Sequence, residues 1–387
     1  MYAHRVLMHI DRCLHTAPSG YAFVMPIPLS RSVLGSEEAA ALQSVLESGR
    51  LVQGPRVEAF ERAVAARVGR RYGIAVANGT VALSLALEAL ELPADAAVLV
   101  PDLTWPSPGH AVLGLGMRPV LVDVDKDTWN VSPETAASAR AAQLSAAILI
   151  DQFGNPAPVR AITEALPELP IIVDGACSLG SRDGASECGA RGVIACLSFH
   201  PRKVVTTGEG GMCLTDDPLI AERLRILRNH GQHSPGQFAR AAGNARMSEL
   251  AAAVGCSQMQ RLDGMLSARQ KLAERYQAEL AGLYPQRIPA GASANYQTFG
   301  VVLPPHSSRD AVVAALRERE IEVGRLSYAL HLLPQFERAR VEAAAAGRKL
   351  ENATLLAERG LALPLYPELS EAEQRHVIAS LKAVLAL

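Results

Sequence analysis

The chain has 387 residues, a formal net charge of -1 and 49% hydrophobic residues. A chain of this length is expected to form a large domain and a smaller one, and its near-neutral balance gives no attraction to nucleic acid or to anionic membranes. No apolar run approaches the roughly 20 residues that a membrane-spanning helix needs. We therefore expect a cytoplasmic protein whose ligands are small molecules.

The N-terminal residues and the cysteines indicate no site. Residues 1–24 match no periodic element, and we expect them to form a poorly ordered extension. Asp11 and Arg12 interrupt its apolar run before a signal core could form, so export is not expected. The six cysteines contain no CxxC pair, and several lie in apolar runs, which favours reduced thiols in the core.

The remaining sequence alternates between helical and strand patterns. Ser36 is expected to cap a first helix, and Pro55 suits the first turn of a second. Short apolar segments then alternate with helical stretches, which is typical of parallel strands joined by crossover helices. These predicted strands lie at residues 73–78, 97–101, 118–124, 145–151, 170–174, 192–199 and 212–215.

This pattern predicts an α/β fold in which helices flank a mostly parallel seven-stranded sheet. We place the large domain at residues 25–284. From about residue 285 the sequence pattern changes to mixed strands and helices, so residues 285–387 are predicted to form a smaller α+β domain. In such sheets, ligands bind beyond the carboxyl ends of the strands.

Two features follow the first predicted strands. Asn78, Gly79 and Thr80 close the first strand and open a helix, which makes an anion site with phosphate as the commonest occupant. An ordinary capped helix start fits this tripeptide equally well. Trp105 follows the second strand, where an indole could cover a planar ligand or simply pack against neighbouring residues.

Two charged residues follow later strands. Asp174 ends the apolar run 170–173, and its carboxylate needs a partner, which a structural ion pair could also supply. Lys203 comes five residues after Ser198, beyond a core strand, although a solvated lysine is the common case. A lysine amine, an acid for the ring nitrogen and donors for a phosphate are what pyridoxal 5'-phosphate (PLP) requires, so their conjunction predicts this cofactor.

Several motifs match one known family. They are SFHPRKVVTTGEGG at residues 198–211, Gly54-Pro55, Gly79-Thr80, Thr104-Trp105, Asp174-Gly175-Ala176, the block 243–247 and the block 328–331. Residues 26–387 resemble the DegT/StrS family of PLP-dependent sugar aminotransferases, enzymes of the aspartate aminotransferase fold (fold type I).

The resemblance implies a role for each matching residue. Lys203 would form the Schiff base with the cofactor, and Asp174 would pair with the pyridine nitrogen. Trp105 would stack on the ring, while Ser198, Gly79 and Thr80 would hold the phosphate. Asn244 would reach the phosphate of the neighbouring subunit, which implies a homodimer with shared sites.

Some residues depart from the family pattern or stay ambiguous. Cys177 stands where the family commonly has a glutamine or histidine near the phenolic oxygen of the cofactor. Tyr328 and His331 could line the substrate pocket or only seat the small domain. His230 and His233 have no third ligand in register, so no metal site is expected.

The resemblance implies an enzyme that moves an amino group from glutamate or glutamine to a keto sugar, most simply a nucleotide-linked one, in amino-sugar biosynthesis. The alternative acceptor is a keto-cyclitol or another non-nucleotide keto sugar of aminoglycoside-type metabolism. Two further alternatives are a PLP-dependent sugar dehydratase and a non-catalytic regulatory relative. Dehydratase relatives replace the lysine with histidine, and a regulator would not need an intact Lys203 and Asp174, so both are disfavoured.

Overall fold

The computed structural model describes residues 26–280 and 282–387, so the extension expected for residues 1–24 lies outside the described residues. The helices are α1 Ser36–Ser48, α2 Pro55–Val68, α3 Gly79–Ala89, α4 Ser107–Gly114, α5 Pro133–Ala137, α6 Val159–Ala165, α7 Pro218–Arg228, α8 Glu249–Gln260, α9 Leu262–Glu279, α10 Arg309–Arg317, α11 Glu337–Ala345, α12 Glu351–Arg359 and α13 Glu371–Leu385.

The strands are β1 Tyr72–Val76, β2 Ala97–Pro101, β3 Leu103–Thr104, β4 Arg118–Val122, β5 Leu144–Ile150, β6 Ile171–Asp174, β7 Arg182–Asp183, β8 Ser186–Glu187, β9 Ile194–Ser198, β10 Gly211–Thr215, β11 Gln232–Ser234, β12 Gln237–Phe238, β13 Tyr284–Pro285, β14 Ala292–Ser293, β15 Phe299–Val302, β16 Gly324–Arg325, β17 Tyr328–Ala329 and β18 Gly360–Leu363.

A seven-stranded sheet forms the centre of the fold, in the order β1-β10-β9-β6-β5-β2-β4. The strands β4, β2, β5, β6 and β9 are parallel, whereas β10 runs antiparallel to both of its neighbours. The predicted fold class is therefore confirmed. Because β2, β5, β6 and β9 run in one direction, their carboxyl ends meet at a single edge of the sheet.

Both faces of this sheet are buried, as is typical of a mostly parallel sheet covered by crossover helices. Alternate residues of each strand enter one of two apolar layers: Leu149 and Val173 lie in one layer, and Ile148 and Ile172 in the other. Helices cover both layers. This explains why the strands read as nearly continuous runs of valine, isoleucine, leucine and alanine.

A second, antiparallel sheet has the order β13-β15-β18-β16 and encloses its own apolar core. Residues from both sides of the predicted boundary at 284/285 contribute to this core, including Ile27, Leu272 and Tyr276 together with Phe299 and Leu361. The extended segment before α1 joins the same core, since Ile27 pairs with Ile321 in an isolated bridge and both residues pack in it. The exact division into domains stays a prediction.

One local prediction was wrong. Ser36 is the first residue of α1, and Gly35 occupies the capping position instead. The carboxylate of Glu38 accepts a hydrogen bond from the Gly35 N–H at 2.7 Å, which satisfies a free donor at the helix start. Pro55 does occupy the first turn of α2, as predicted. Among the described residues, none of the helices combines the length and the apolar character needed to cross a bilayer.

Candidate active site

A cavity of about 600 Å³ opens at the carboxyl edge of the seven-stranded sheet. Its walls come from the turn after β1, the ends of β2, β6 and β9, and two segments next to the second sheet. The lining includes Asn78, Gly79, Thr80, Trp105, Asp174, Cys177, Ser198, Lys203, Gln297 and Ser327. The structure thus brings seven of the predicted site residues to one cavity, together with Asn78.

Lys203 lies in a tight loop between β9 and β10, and backbone hydrogen bonds fix that loop. The Lys203 N–H donates to the His200 carbonyl at 2.8 Å, and the Thr207 N–H donates to the Phe199 carbonyl at 3.0 Å. The Lys203 side chain is half-buried, and its Nζ donates to Cys177 Sγ at 3.2 Å. The amine is therefore held at the cavity wall, not in bulk solvent.

Asp174 ends β6 with a carboxylate that is only 6% exposed. Its one hydrogen bond within the described residues comes from the Ala176 N–H, at 3.0 Å to Oδ1. Burial raises the pKa of Asp174 to about 6, against the opposing effects of that hydrogen bond and of the Lys203 charge. A buried carboxylate with so few donors facing a cavity suits a cationic ligand group.

The predicted anion site lies at the start of α3. The first N–H groups of a helix have no intrahelical acceptor, and here they belong to Gly79 and Thr80. Asn78 caps the helix, since its Oδ1 accepts from the Val81 N–H at 2.9 Å. Gly79 has to be small, because a Cβ there would lie 2.8 Å from the Cβ of Ser198. The three predicted phosphate contacts therefore adjoin one another.

Trp105 stands at the cavity mouth with 62% of its surface exposed. Its ring meets the ring of Tyr328 edge to face, with the centroids 5.6 Å apart. Strand β3, which precedes Trp105, pairs with β17, so Thr104 lies opposite Tyr328. Tyr328 supports Trp105 from behind and is not itself part of the cavity lining.

His331 and Asn244 lie outside this chain's cavity. The Nδ1 of His331 lies 2.5 Å from Oδ2 of Asp102, and the ring does not line the cavity. Burial raises the pKa of Asp102, against the opposing hydrogen bonds and charge of His331. Asn244 is exposed in the loop before α8. Among the described residues, no group of three or more His, Cys, Asp or Glu side chains could hold a metal ion.

Sequence reasoning missed the residues that brace the cavity wall. Asn295 is buried, and its Nδ2 donates to the carbonyls of Cys177 at 2.8 Å and Leu179 at 2.9 Å. Its Oδ1 accepts from the Gln297 N–H, and Gln297 Nε2 donates to the Arg202 carbonyl at 3.0 Å. This segment ties the loop after β6 to the lysine loop. No short motif marks it, because its partners lie more than 90 residues away in sequence.

The residues present fit PLP in three respects. The Lys203 amine reaches the cavity, the Asp174 carboxylate lacks sufficient protein donors, and the glycine at 79 leaves room where a side chain would fill the cradle. The fold and this site together define a PLP-dependent aminotransferase of fold type I.

Comparison with known proteins gives the family. Residues 32–382 match the model of the DegT/DnrJ/EryC1/StrS aminotransferase family. The structure is similar to that of the aminotransferase TlmJ from Streptoalloteichus hindustanus, at 30% identity and a TM-score of 0.85, over 93% of this chain and 99% of that one. It is also similar to DesV of S. venezuelae, at 30% identity and a TM-score of 0.83, over 90% of this chain and 94% of that one.

The sugar aminotransferase Spr1654 from Streptococcus pneumoniae, described as putative and solved in its PLP form, has a TM-score of 0.87 over 93% of this chain and 99% of that one. Its identity is 22%, so this likeness shows the fold alone. Because the family model spans nearly all the described residues, the chain belongs to the DegT/DnrJ/EryC1/StrS aminotransferase family, whose cofactor is PLP.

Proposed function

We propose that this enzyme transfers the amino group of glutamate or glutamine to a keto sugar carried on a nucleotide. One observation supports it above the others: the Lys203 amine and the underpartnered Asp174 carboxylate line the same cavity, which the start of α3 also lines. The cavity of about 600 Å³ extends beyond these groups to an open mouth, which leaves space for a second, bulky substrate.

When bound, PLP supplies an aldehyde that condenses with amines and a ring that withdraws electrons from the adjacent carbon. Asp174 would keep a proton on the ring nitrogen, because a carboxylate in a buried site is stabilised by an adjacent cation. The N–H groups of Gly79 and Thr80 and the Ser198 hydroxyl would bind the phosphate. Trp105 would cover the ring and exclude water from one side.

Lys203 would act twice. Its amine would first hold the cofactor, and once released it would serve as the base that takes the proton from the donor's α-carbon. The same amine would return a proton when the acceptor receives nitrogen. Cys177 Sγ accepts a hydrogen bond from this amine at 3.2 Å and would help to orient it.

A spectral titration tests the proposal. Donor amino acids should bleach the visible band of the cofactor-loaded protein, and nucleotide-linked keto sugars should restore it while an amino sugar appears in the mass spectrum. Free keto-cyclitols are the competing acceptors, and restoration by these alone would favour the alternative. If no donor bleaches the band, the proposed reaction is wrong.

The matched variants are Lys203→Ala and Lys126→Ala, the second being a lysine with a largely exposed side chain. We expect turnover to disappear in Lys203→Ala and to stay unchanged in Lys126→Ala. Borohydride reduction should attach the cofactor to the peptide that contains Lys203. Attachment elsewhere would contradict the assignment.

We also propose a homodimer in which Asn244 contributes to the neighbouring site. Asn244 is exposed and does not line the cavity of its own chain, which supports a role outside it. Light scattering should give a dimer mass. Mixing an Asn244→Ala chain with a Lys203→Ala chain should restore partial activity, because one site of the mixed dimer would then be intact. The cytoplasmic location stays a prediction.

A further inference from the structure

A buried carboxylate, that of Asp102, and the partly buried imidazole of His331 lie at the start of the β3–β17 ladder that leads to Trp105. Asp102 is 0% exposed, and both of its oxygens bind His331. Oδ1 accepts from the His331 N–H at 2.9 Å, and Oδ2 lies 2.5 Å from His331 Nδ1. The two residues are 229 positions apart in sequence, so this contact joins distant segments.

The pair is continuous with the backbone that carries Trp105. The Asp102 carbonyl accepts from the Leu330 N–H at 2.8 Å, and the next residue, Leu103, pairs with Ala329 in the β3–β17 ladder. Trp105 comes directly after this ladder. Because its side chain is 62% exposed, burial does not fix the indole, so its position depends on this backbone frame and on the Tyr328 ring that the same ladder carries.

The other nitrogen of the His331 ring lies beside Thr354 of helix α12. The Thr354 hydroxyl gives its one proton to the Leu350 carbonyl at 2.8 Å. The Nε2 of His331 lies 3.4 Å from the oxygen of this hydroxyl. Because Nδ1 lies beside Asp102 Oδ2 and Nε2 lies beside Thr354, the His331 ring links the backbone before β3 to helix α12.

We propose that Asp102 and His331 are positioning residues that hold Trp105 over the cavity, so that cofactor binding depends on a pair that does not itself line the cavity. Any loss of aminotransferase activity in variants of this pair rests on the proposed function. The expected effects on the position of Trp105 and on PLP affinity do not rest on it.

The test compares His331→Leu with His331→Asn. The asparagine amide nitrogen occupies nearly the place of Nδ1 and can still donate to Asp102, whereas leucine cannot. Trp105 can be observed selectively, since the second tryptophan of the chain, Trp129, is 1% exposed and is shielded from aqueous quenchers. The readouts are the anisotropy of the quenchable tryptophan emission and the dissociation constant for PLP.

We expect His331→Leu to lower that anisotropy and to weaken PLP binding by about tenfold, because a displacement of about 1 Å in a ligand-covering group has effects of this size or larger. His331→Asn should lie close to the wild type. His376→Leu, which removes an exposed histidine from α13, should change nothing and controls for the substitution itself.

Wild-type anisotropy and PLP affinity in a folded His331→Leu protein would overturn the proposal. So would an Asn variant that fails as badly as the Leu variant. If His331→Leu does not fold, the nearly isosteric Asp102→Asn variant is measured in the same way, with a smaller shift of the same sign expected and no shift counting against the proposal. If PLP affinity falls but no keto sugar is aminated, the positioning role stands and the proposed function fails.

Discussion

Asp151 and Asp174 lie at the carboxyl ends of neighbouring parallel strands, yet their surroundings are opposite. The carboxylate of Asp151 accepts from Arg191 at 2.5 Å, from the Ser178 hydroxyl at 2.7 Å and from the Ala157 N–H at 2.8 Å. Asp174 accepts one backbone N–H within the described residues. Burial would lower the pKa of Arg191, but Asp151 raises it above its usual value, so the guanidinium keeps its charge.

The contrast separates a structural carboxylate from the one that we propose to bind the cofactor. Asp151 has its hydrogen bonds supplied by the protein, so it stabilises the fold and has no capacity left for a ligand. Asp174 stays partly unsatisfied, which destabilises the protein without cofactor but leaves a strong acceptor for a cationic group. We therefore propose that the same residue type at equivalent strand ends serves two purposes.

The largest effect is expected from breaking the structural pair. Asp151→Asn would leave the buried Arg191 guanidinium without its anion, and such changes cost about 3–5 kcal/mol of folding free energy. Urea unfolding measures this loss. Glu164→Gln, which removes one partner of an exposed ion pair with Arg160, should change the value by less than about 1 kcal/mol. A similar loss in both variants would remove the distinction.

Asp174→Asn should leave the fold intact and lower kcat on the order of a hundredfold or more, because a neutral amide cannot keep the cofactor ring nitrogen protonated. Steady-state kinetics with saturating PLP measures the loss. Retention of most of the wild-type kcat would show that Asp174 does not act on the cofactor.

The same substitution should stabilise the protein without cofactor. Because the pKa of Asp174 is raised to about 6 in the folded state, the folded protein retains a proton that the unfolded chain has lost between about pH 4 and pH 6. The cost of ionising this group therefore grows with pH and is complete above about pH 6.

At pH 8 the Asp174→Asn apoprotein should exceed the wild type by up to about 3 kcal/mol in unfolding free energy, and this advantage should shrink by about 1–2 kcal/mol at pH 5. Urea unfolding at the two pH values measures both numbers. An advantage that grows toward low pH would contradict the assigned direction of the pKa shift.

The smallest effect concerns the support of the loop after Asp174. Asn295→Ala would leave the Cys177 and Leu179 carbonyls without their donor and should cost about 2 kcal/mol. We expect faster alkylation of Cys177 in the apoprotein, read by mass spectrometry of its peptide. Asn352→Ala removes a comparable hydrogen bond to the Val124 carbonyl and should leave that rate unchanged.

Local sequence patterns predicted the strands and several of the cavity residues. The apolar runs at 97–101 and 118–124 correspond to β2 and β4, since a strand buried on both faces has to be apolar throughout. Lys203, Asp174 and Trp105 were placed at one sheet edge because parallel strands end together. The prediction that Ser36 caps α1 was wrong, because the capping position lies one residue earlier at Gly35, whose N–H donates to the Glu38 carboxylate.

The sequence by itself determined the parallel sheet, the lysine loop and the family, because periodicity and contiguous motifs are encoded within a few residues. Tertiary structure alone decided which aspartate is satisfied, that His331 binds Asp102 and that Asn295 braces the cavity. Those outcomes depend on partners between about 40 and 230 residues apart, and only the folded chain brings such partners within hydrogen-bonding distance.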